Sequence, residues 1–255
     1  MDTTLYRYFI RLSYLGHGFH GWQKQSKAPT IQEKLEEVLS TLLREEVRTM
    51  GAGRTDTGVH AETFYAHFDT SYTPEVIESI QLVFKANRML PSTIAIQDIF
   101  HVPPKAHTRF DAISRTYHYY ICTRKDPFWA SRAWFYDRPM DITALQDTAS
   151  ILFNHNDFAC FSKTHTQVKT TLCDIYAAEW QVYDHILCFR IEANRFLRNM
   201  VRAIVGTMTD AGLGKISTAD FDRIIQSKDR CQAGYSAPAQ GLYLMDIRYP
   251  DQLFF

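Results

Sequence analysis

The order in which two hydrophobic periods alternate along the chain is the feature that most limits its fold. Apolar residues recur at every second position in residues 5–14, which predicts a strand half-buried on a core. Thr30 and Glu33 then have the spacing of a capping box, and apolar residues follow them at helical period to Leu42. Short strands are predicted near residues 47–51 and 62–69, on either side of a glycine-rich turn.

A second helix and a fourth strand complete this first half of the chain. Thr73 is placed to cap a helix that has Pro74 at its first position and runs to about Arg88. Leu90-Pro91 ends that helix, and residues 93–102 have the pattern of a strand. The resulting order, β-α-β-β-α-β, is typical of ferredoxin-like and RRM domains.

The same order recurs after a stiff break at Pro103-Pro104. The elements predicted there are a strand at 113–123, a helix at 141–153, a hairpin of strands 172–182 and 185–192, a long helix capped by Asn194 and ending near Gly212, a short helix at 218–226 and a last strand at 242–247. We therefore predict an α+β fold with two ferredoxin-like or RRM-like halves, whose mainly antiparallel sheets lie side by side around a central cleft. The predicted domains are residues 1–103 and 104–255.

Composition and cysteine usage predict a cytoplasmic protein without a metal site. The chain has 255 residues, of which 45% are hydrophobic and 22% charged, enough for substantial cores. The N-terminus lacks the pattern of a signal peptide, and no stretch approaches the roughly 20 apolar residues that cross a bilayer. Five widely spaced cysteines without a CxxC pair predict reduced thiols, with neither a disulfide framework nor a zinc site.

Net charge alone argues against a nucleic-acid partner, because 28 basic residues balance 28 acidic ones. Binding of phosphate depends on local potential, however, and residues 101–133 hold six Lys or Arg against two acids. This stretch fits one basic wall of a cleft, and it fits a solvated charged face equally well.

The segment 51–60, GAGRTDTGVH, contains the best candidate for a chemical site. Its glycines predict a sharp backbone excursion between two strands, with Asp56 near the tip and Thr55 and Thr57 able to hydrogen-bond to it. The GxxxxGK[ST] pattern of a phosphate loop is not present. From these residues alone, an ordinary glycine turn with a hydrogen-bonding aspartate is the favoured explanation, because short motifs often match by chance.

Segment 53–61, GRTDTGVHA, resembles the signature of the TruA family of tRNA pseudouridine synthases, in which the aspartate is catalytic. The other blocks that resemble this family are Tyr14-Leu15-Gly16, residues 19–25, Thr30-Ile31-Gln32, Asn87 with Leu90-Pro91, residues 109–112, residues 115–119, Asp157-Phe158 with Phe161, residues 196–202 and residues 237–242. They occur in the family's order from about residue 8 to residue 245. One departure is Phe64-Tyr65, where the family commonly has Gln-Val.

The resemblance implies an isomerase that breaks the N1–C1′ bond of a uridine, rotates the base and joins C5 to C1′. The base never leaves, so the reaction needs neither a cofactor nor a metal. It does need one carboxylate, assigned to Asp56, either as nucleophile at C1′ or as base at C2′. The sequence leaves both routes open.

Four further residues receive roles from the resemblance. Arg202 would pair with the catalytic carboxylate, Tyr117 would lie over the target base, Arg54 would fill the gap left by the flipped nucleotide, and Leu90 would line the uracil pocket. Each also has a plain structural explanation: a surface stripe of arginines, a core tyrosine, a salt bridge within the loop and a buried helix end. His60 is predicted to be structural.

The implied substrate is tRNA, modified at uridines 38, 39 and 40 of the anticodon stem-loop, and the implied assembly is a homodimer. Lys24, Arg109 and Arg115 are the candidate phosphate contacts. Two other classes of function remain as alternatives. A non-catalytic RNA-binding module would not need Asp56, and an aspartate-dependent hydrolase or phosphotransferase would need a second acid or a metal cluster beside it.

Overall fold

The computed structural model describes residues 4–163 and 169–254, which form nine β-strands and six α-helices. In chain order these are β1 (Tyr6–Tyr14), α1 (Ile31–Leu43), β2 (Met50–Gly51), β3 (His60–Thr70), α2 (Pro74–Ser79), α3 (Leu82–Met89), β4 (Ile94–Val102), β5 (Ser114–Cys122), β6 (Trp134–Phe135), α4 (Ile142–Ile151), β7 (Ile175–Tyr183), β8 (Ile186–Ala193), α5 (Met200–Gly212), α6 (Thr218–Ser227) and β9 (Leu242–Arg248). The predicted α+β class is confirmed at this level.

The chain divides into two compact units. Unit 1 consists of Met1–Ile113 and Leu244–Phe255, and unit 2 consists of Ser114–Tyr243. The sequence-based division after residue 103 stays a prediction. Unit 1 continues past that point to Ile113 and includes most of β9.

Unit 1 is built around β1. This strand pairs antiparallel with β3 on one side and β4 on the other, β2 pairs antiparallel with β3, and β9 lies beside β3. Phe9 and Ile10 point to opposite faces of β1 and are both fully buried, so both faces of the strand are covered. On the Phe9 face, Tyr249 packs edge-on with ring centroids 5.6 Å apart.

Unit 2 has β8 at the centre of its sheet. β8 pairs antiparallel with β5 and with β7, and β6 pairs parallel with β5. Helix α5 is largely enclosed: 11 of its 13 residues are buried, and only Arg202 and Asp210 are half-buried. A polar side chain on so apolar a helix requires a partner.

The prediction of one continuous helix from Thr73 to Arg88 is wrong. The structure has two helices, α2 and α3, separated at Ile80 and Gln81. Gln81 has φ of 52°, in the left-handed region, so the helical hydrogen-bond ladder cannot run through it. The apolar period continues across this break, and it therefore gives no sign of it.

The prediction that Asn194 caps the long helix is also wrong, because α5 begins six residues later, after Asn199. The Asn194 side chain instead closes the end of the β7–β8 hairpin. Its Oδ1 accepts from the Asp174 N–H at 3.0 Å, and its Nδ2 donates to the Asp174 carboxylate at 2.7 Å. Such competition between helix capping and other backbone hydrogen bonds is common for asparagine.

No helix in the described residues is both long and apolar enough to cross a bilayer; the longest, α1 and α5, have 13 residues each.

Candidate active site

Asp56 lies in unit 1, on the loop that connects β2 to β3. Its side chain is half-buried, while Arg54 and Thr57 on either side of it are exposed. Thr55 is buried, with 8% of its surface exposed. The loop therefore presents Asp56 and Arg54 outward and uses Thr55 as its anchor.

Residues of the opening block hold the Thr55 side of the loop. The Trp22 N–H donates to the Thr55 carbonyl at 3.2 Å, and the Tyr14 hydroxyl lies 2.9 Å from Thr55 Oγ1. Gly21 has φ of 83°, and a Cβ at this position would lie 2.3 Å from the Thr55 carbonyl oxygen. Only glycine permits this approach of two backbones.

The other side of the loop is held in a similar way at Gly16. The Gly16 N–H donates to His60 Nδ1 at 3.1 Å, and a Cβ on Gly16 would lie 2.1 Å from the Val59 carbonyl oxygen. The Val59 N–H donates to the Asp56 carbonyl at 3.1 Å, which closes a turn directly behind Asp56. His60 thus accepts a backbone hydrogen bond in a buried position and helps to hold the loop.

The unusual Phe64-Tyr65 pair lies under this loop. Phe64 is fully buried, and its ring centroid is 4.2 Å from that of Trp22. The Tyr65 carbonyl accepts from the Ala52 N–H at 2.8 Å, which fixes the start of the loop. The departure from the family pattern therefore adds apolar packing below the loop, and the main-chain hydrogen bonds on both sides of Asp56 are present.

Leu90 lies at the end of α3 and is buried, with 7% of its surface exposed. The preceding turn is fixed by Asn87, whose side chain donates to the Ile96 carbonyl at 2.7 Å and accepts from the Ile96 N–H at 2.8 Å. The family resemblance assigns Asn87 no role, and this two-way hydrogen bond to β4 gives it a structural one.

The candidate RNA-binding cations differ in their surroundings. In unit 1, Lys24 is exposed and its Nζ lies 3.6 Å from Glu36 Oε2, while the guanidinium of Arg109 lies 5.8 Å from the ring centroid of Phe110. In unit 2, Arg115 is half-buried, and its guanidinium donates to the Asn194 carbonyl at 2.9 Å.

Arg202 is half-buried on α5 in unit 2, where its position is fixed by residue 237. Its Nε donates to the Ala237 carbonyl at 2.7 Å, and its own carbonyl accepts from the Ala237 N–H at 2.9 Å. The segment around Ala237 lies directly against the helix, because a Cβ on Gly206 would be 1.8 Å from the Tyr235 carbonyl oxygen.

Tyr117 lies on β5, half-buried, with its ring edge-on to Phe196 at a centroid distance of 5.0 Å. Two residues along the same strand, the fully buried Tyr119 donates its hydroxyl hydrogen to the Pro238 carbonyl at 2.7 Å. Burial raises the pKa of Tyr119, and the charge of Arg202 opposes that rise. The neighbouring carbonyls of Ala237 and Pro238 thus connect α5 to β5.

Tyr119 belongs to the family-like block 115–119, but sequence reasoning assigns it no role. The block at 237–242 was identified as part of the family pattern but was given no role. In unit 2 this segment brings the strand that carries Tyr117 and the helix that carries Arg202 onto two adjacent carbonyls. A tyrosine two residues from Tyr117, on the same face of the strand, was the available signal.

Among the residues that the structure describes, no group of three or more His, Cys, Asp or Glu side chains is arranged to hold a metal ion.

Comparisons with known proteins match nearly the whole chain. It is 46% identical over 252 residues to a tRNA pseudouridine synthase A from Bacteroides fragilis, which covers 98% of this chain and 99% of that protein. The chain belongs to the tRNA pseudouridine synthase family. It is therefore an enzyme of the isomerase class, and the resemblance predicted from the sequence is confirmed.

Other matches within this family agree. The chain is 47% identical over 248 residues to a tRNA pseudouridine synthase A from Parabacteroides distasonis, covering 97% of this chain and 98% of that protein. A relative from Porphyromonas gingivalis is also 47% identical, over 251 residues, covering 97% of this chain and 99% of that protein. The family model described as tRNA pseudouridine synthase matches residues 150–250.

Proposed function

We propose that this chain converts uridine to pseudouridine in tRNA and that Asp56 is the catalytic carboxylate. The observation that carries the proposal is the way the loop holds Asp56. The loop is fixed on either side of the aspartate: at Thr55 by a backbone hydrogen bond from Trp22 and a hydroxyl contact to Tyr14, and at Val59 by the close approach of Gly16. A carboxylate that must meet one ribose carbon needs such a rigid support.

The reaction balances without any other reactant. The N1–C1′ bond breaks, the uracil turns within the site, the C5–C1′ bond forms, and the proton on C5 leaves while N1 gains one. Asp56 acts either as nucleophile at C1′, released when C5 attacks, or as base at C2′. Both routes require the carboxylate to be ionised when the uridine arrives.

Arg202 and Tyr117 are proposed to complete the catalytic set. A guanidinium beside a partly desolvated aspartate favours its charged form, and the planar fork of arginine also fixes the direction of the carboxylate. The half-buried place of Arg202 on a helix that has 11 of its 13 residues buried supports this role. The ring of Tyr117 is proposed to stack on uracil, with its hydroxyl moving the C5 proton.

Arg54 and Leu90 are proposed to act on the nucleotide before the chemistry begins. Flipping a uridine out of its stack costs a few kcal/mol, and a planar cation entering the vacated space offsets part of that cost. Arg54 is exposed beside Asp56, as this role requires. Leu90 is proposed to line the uracil pocket.

The proposed substrate site is the anticodon stem-loop, at uridines 38, 39 and 40. Lys24, Arg109 and Arg115 are proposed to contact phosphates, which would make binding strongly dependent on salt. We further propose a cytoplasmic homodimer with two ferredoxin-like halves in each chain. In that arrangement residues 1–103 carry the catalytic loop and residues 104–255 complete the cleft.

The proposal is tested by incubating the purified chain with unmodified tRNA transcripts and mapping pseudouridine at each position. A matched transcript with cytidine at 38, 39 and 40 is the control. We expect pseudouridine at those positions in the first transcript and none in the second. Binding of tRNA without any isomerisation would favour the RNA-binding alternative. Pseudouridine found only at other uridines would refute the proposed modification of positions 38, 39 and 40.

A further inference from the structure

Phe110 is a large apolar side chain that the chemistry described so far does not use, and it is 73% exposed. It belongs to the segment that connects β4 to β5, directly after the candidate RNA contact Arg109. We propose that Phe110 is a stacking platform for an unpaired base of the substrate RNA, a role that rests on the proposed function in tRNA.

The ring of Phe110 is the outer end of a ladder of rings that starts in the core of unit 1. Phe9 is fully buried and stacks on His67 at 5.9 Å between centroids; His67 meets His107 at 4.7 Å, and His107 meets Phe110 at 4.2 Å. The inner face of Phe110 is therefore supported by a ring, and most of its surface remains open to solvent.

The backbone that carries Phe110 is fixed at several points. The His107 N–H donates to the Asp111 carboxylate at 2.7 Å, and the Asp111 N–H donates to the His107 carbonyl at 3.0 Å. The Arg109 N–H donates to His107 Nδ1 at 3.1 Å, and the Thr108 carbonyl accepts from the Tyr249 hydroxyl at 2.6 Å. A ring held this firmly loses little conformational entropy when a partner stacks on it.

Charge identifies the partner as nucleic acid. The exposed charged residues in the stretch 103–110 are Lys105 and Arg109, both cations, and the guanidinium of Arg109 lies 5.8 Å from the Phe110 ring centroid. The nearest acid in the sequence, Asp111, already accepts the His107 N–H. Two exposed cations in the same segment as an exposed aromatic ring are the combination that binds phosphates and unstacked bases together.

The test compares Phe110→Leu with Phe110→Trp and with a control, Phe84→Leu. Phe84 is also exposed, at 59%, and has the guanidinium of Arg88 5.9 Å from its ring. It serves as the control because it lies on α3, outside the segment between β4 and β5 to which the proposal applies. Dissociation constants are measured by fluorescence anisotropy for a tRNA transcript and for a fully paired RNA hairpin of similar size. Thermal melts verify that each variant is folded.

We expect Phe110→Leu to weaken tRNA binding by roughly 5-fold to 150-fold, the range that corresponds to loss of one stacked base. Phe110→Trp and Phe84→Leu should bind within about two-fold of the wild type, and hairpin binding should be unchanged in all three. The dependence of affinity on salt should keep its slope in Phe110→Leu, whereas Arg109→Gln should lower that slope by about one.

Unchanged tRNA affinity of folded Phe110→Leu, alongside normal wild-type binding, would overturn the stacking role. So would equal weakening for the paired hairpin, or a change of oligomeric state in Phe110→Leu by sedimentation, which would assign the ring to a contact between copies. A wild-type chain that neither binds nor modifies tRNA would instead refute the proposed function itself, so the two failures are distinguishable.

Discussion

The Asp56 loop in unit 1 and the surroundings of Arg202 in unit 2 are held by different kinds of contact. The loop is fixed by backbone that approaches Gly16 and Gly21 so closely that a Cβ would lie 2.1 and 2.3 Å from carbonyl oxygens. Arg202 is fixed by side-chain and backbone hydrogen bonds to Ala237. The Asp56 loop therefore tolerates no Cβ at Gly16 or Gly21. The position of the Arg202 guanidinium depends instead on the N–H donors of its own side chain.

The largest expected effect comes from adding a Cβ at Gly16, where the Asp56 loop lies closest to the segment after β1. Gly16→Ala places a methyl group against the Val59 carbonyl, so we expect a loss of about 3 kcal/mol in the free energy of unfolding, together with loss of activity. Gly53→Ala is the matched control in the loop itself, because nothing lies within 4 Å of its added Cβ. Its stability should stay within about 0.5 kcal/mol of wild type by urea denaturation. Equal stability of the two variants would contradict the account of the loop.

Arg202→Lys tests the second kind of contact, since it keeps the charge and removes the planar fork. We expect kcat to fall about 100-fold, the effect of losing one oriented donor in an active site, with a fall in melting temperature of only about 2–4 °C, because the Ala237 carbonyl loses its Nε donor. Arg223→Lys, at an exposed position of α6, is the control for the same change in unit 2. A normal kcat for Arg202→Lys would show that Arg202 is not a catalytic residue.

Acidification should change the stabilising contributions of two histidines, one in each unit, in opposite directions. Burial lowers the pKa of His67 in unit 1 to about 4 from 6.5, so the folded state binds fewer protons than the unfolded chain between these values. Its contribution to stability is present above pH 6.5 and declines as the pH falls, by about 2 kcal/mol between pH 7 and pH 5. Asp184 and Asp126 raise the pKa of His185 in unit 2, so its contribution is lost instead as the pH rises.

The measurement is the free energy of unfolding against pH for wild type and for His67→Gln. The difference between the two curves should shrink from pH 7 to pH 5 by about the amount given for His67. A difference that is independent of pH would show that His67 does not titrate as its buried position requires.

The smallest expected effects come from two buried tyrosine hydroxyls, one in each unit. Tyr119→Phe leaves the Pro238 carbonyl without its 2.7 Å donor and should cost about 1 kcal/mol. Tyr14→Phe removes a contact to the Thr55 hydroxyl, whose own hydrogen is free to rotate, so about half that cost is expected. Chemical denaturation resolves the two, and a larger loss for Tyr14→Phe would reverse this ranking.

Much of the fold followed from the sequence because strand and helix periods are local signals. The strand at 5–14 and the helix from Ile31 were predicted within a residue or two of β1 and α1. Backbone conformation at single residues was not predictable in this way. The left-handed conformation of Gln81 breaks a helix within a continuous apolar pattern, and Asn194 uses its side chain across a hairpin instead of capping α5.

The candidate site shows the same division. The glycine spacing around Asp56 indicated a sharp turn, and the structure supplies the reason for the distant Gly16 and Gly21, which is contact with that turn. The hydrogen bond of Tyr119 to Pro238 joins residues 119 positions apart, and the ring ladder beneath Phe110 joins β1, β3 and the segment after β4. Contacts of this kind depend on tertiary packing, which local patterns do not contain.

The proposed role of Asp56 is tested most directly by Asp56→Asn, which keeps the shape of the side chain and removes its charge. Pseudouridine formation is followed under single-turnover conditions with excess enzyme, and tRNA affinity is measured in parallel. We predict affinity within about two-fold of wild type and no detectable product, because an amide serves neither as nucleophile at C1′ nor as base at C2′. Product formation by Asp56→Asn at a rate near that of the wild type would contradict the proposal.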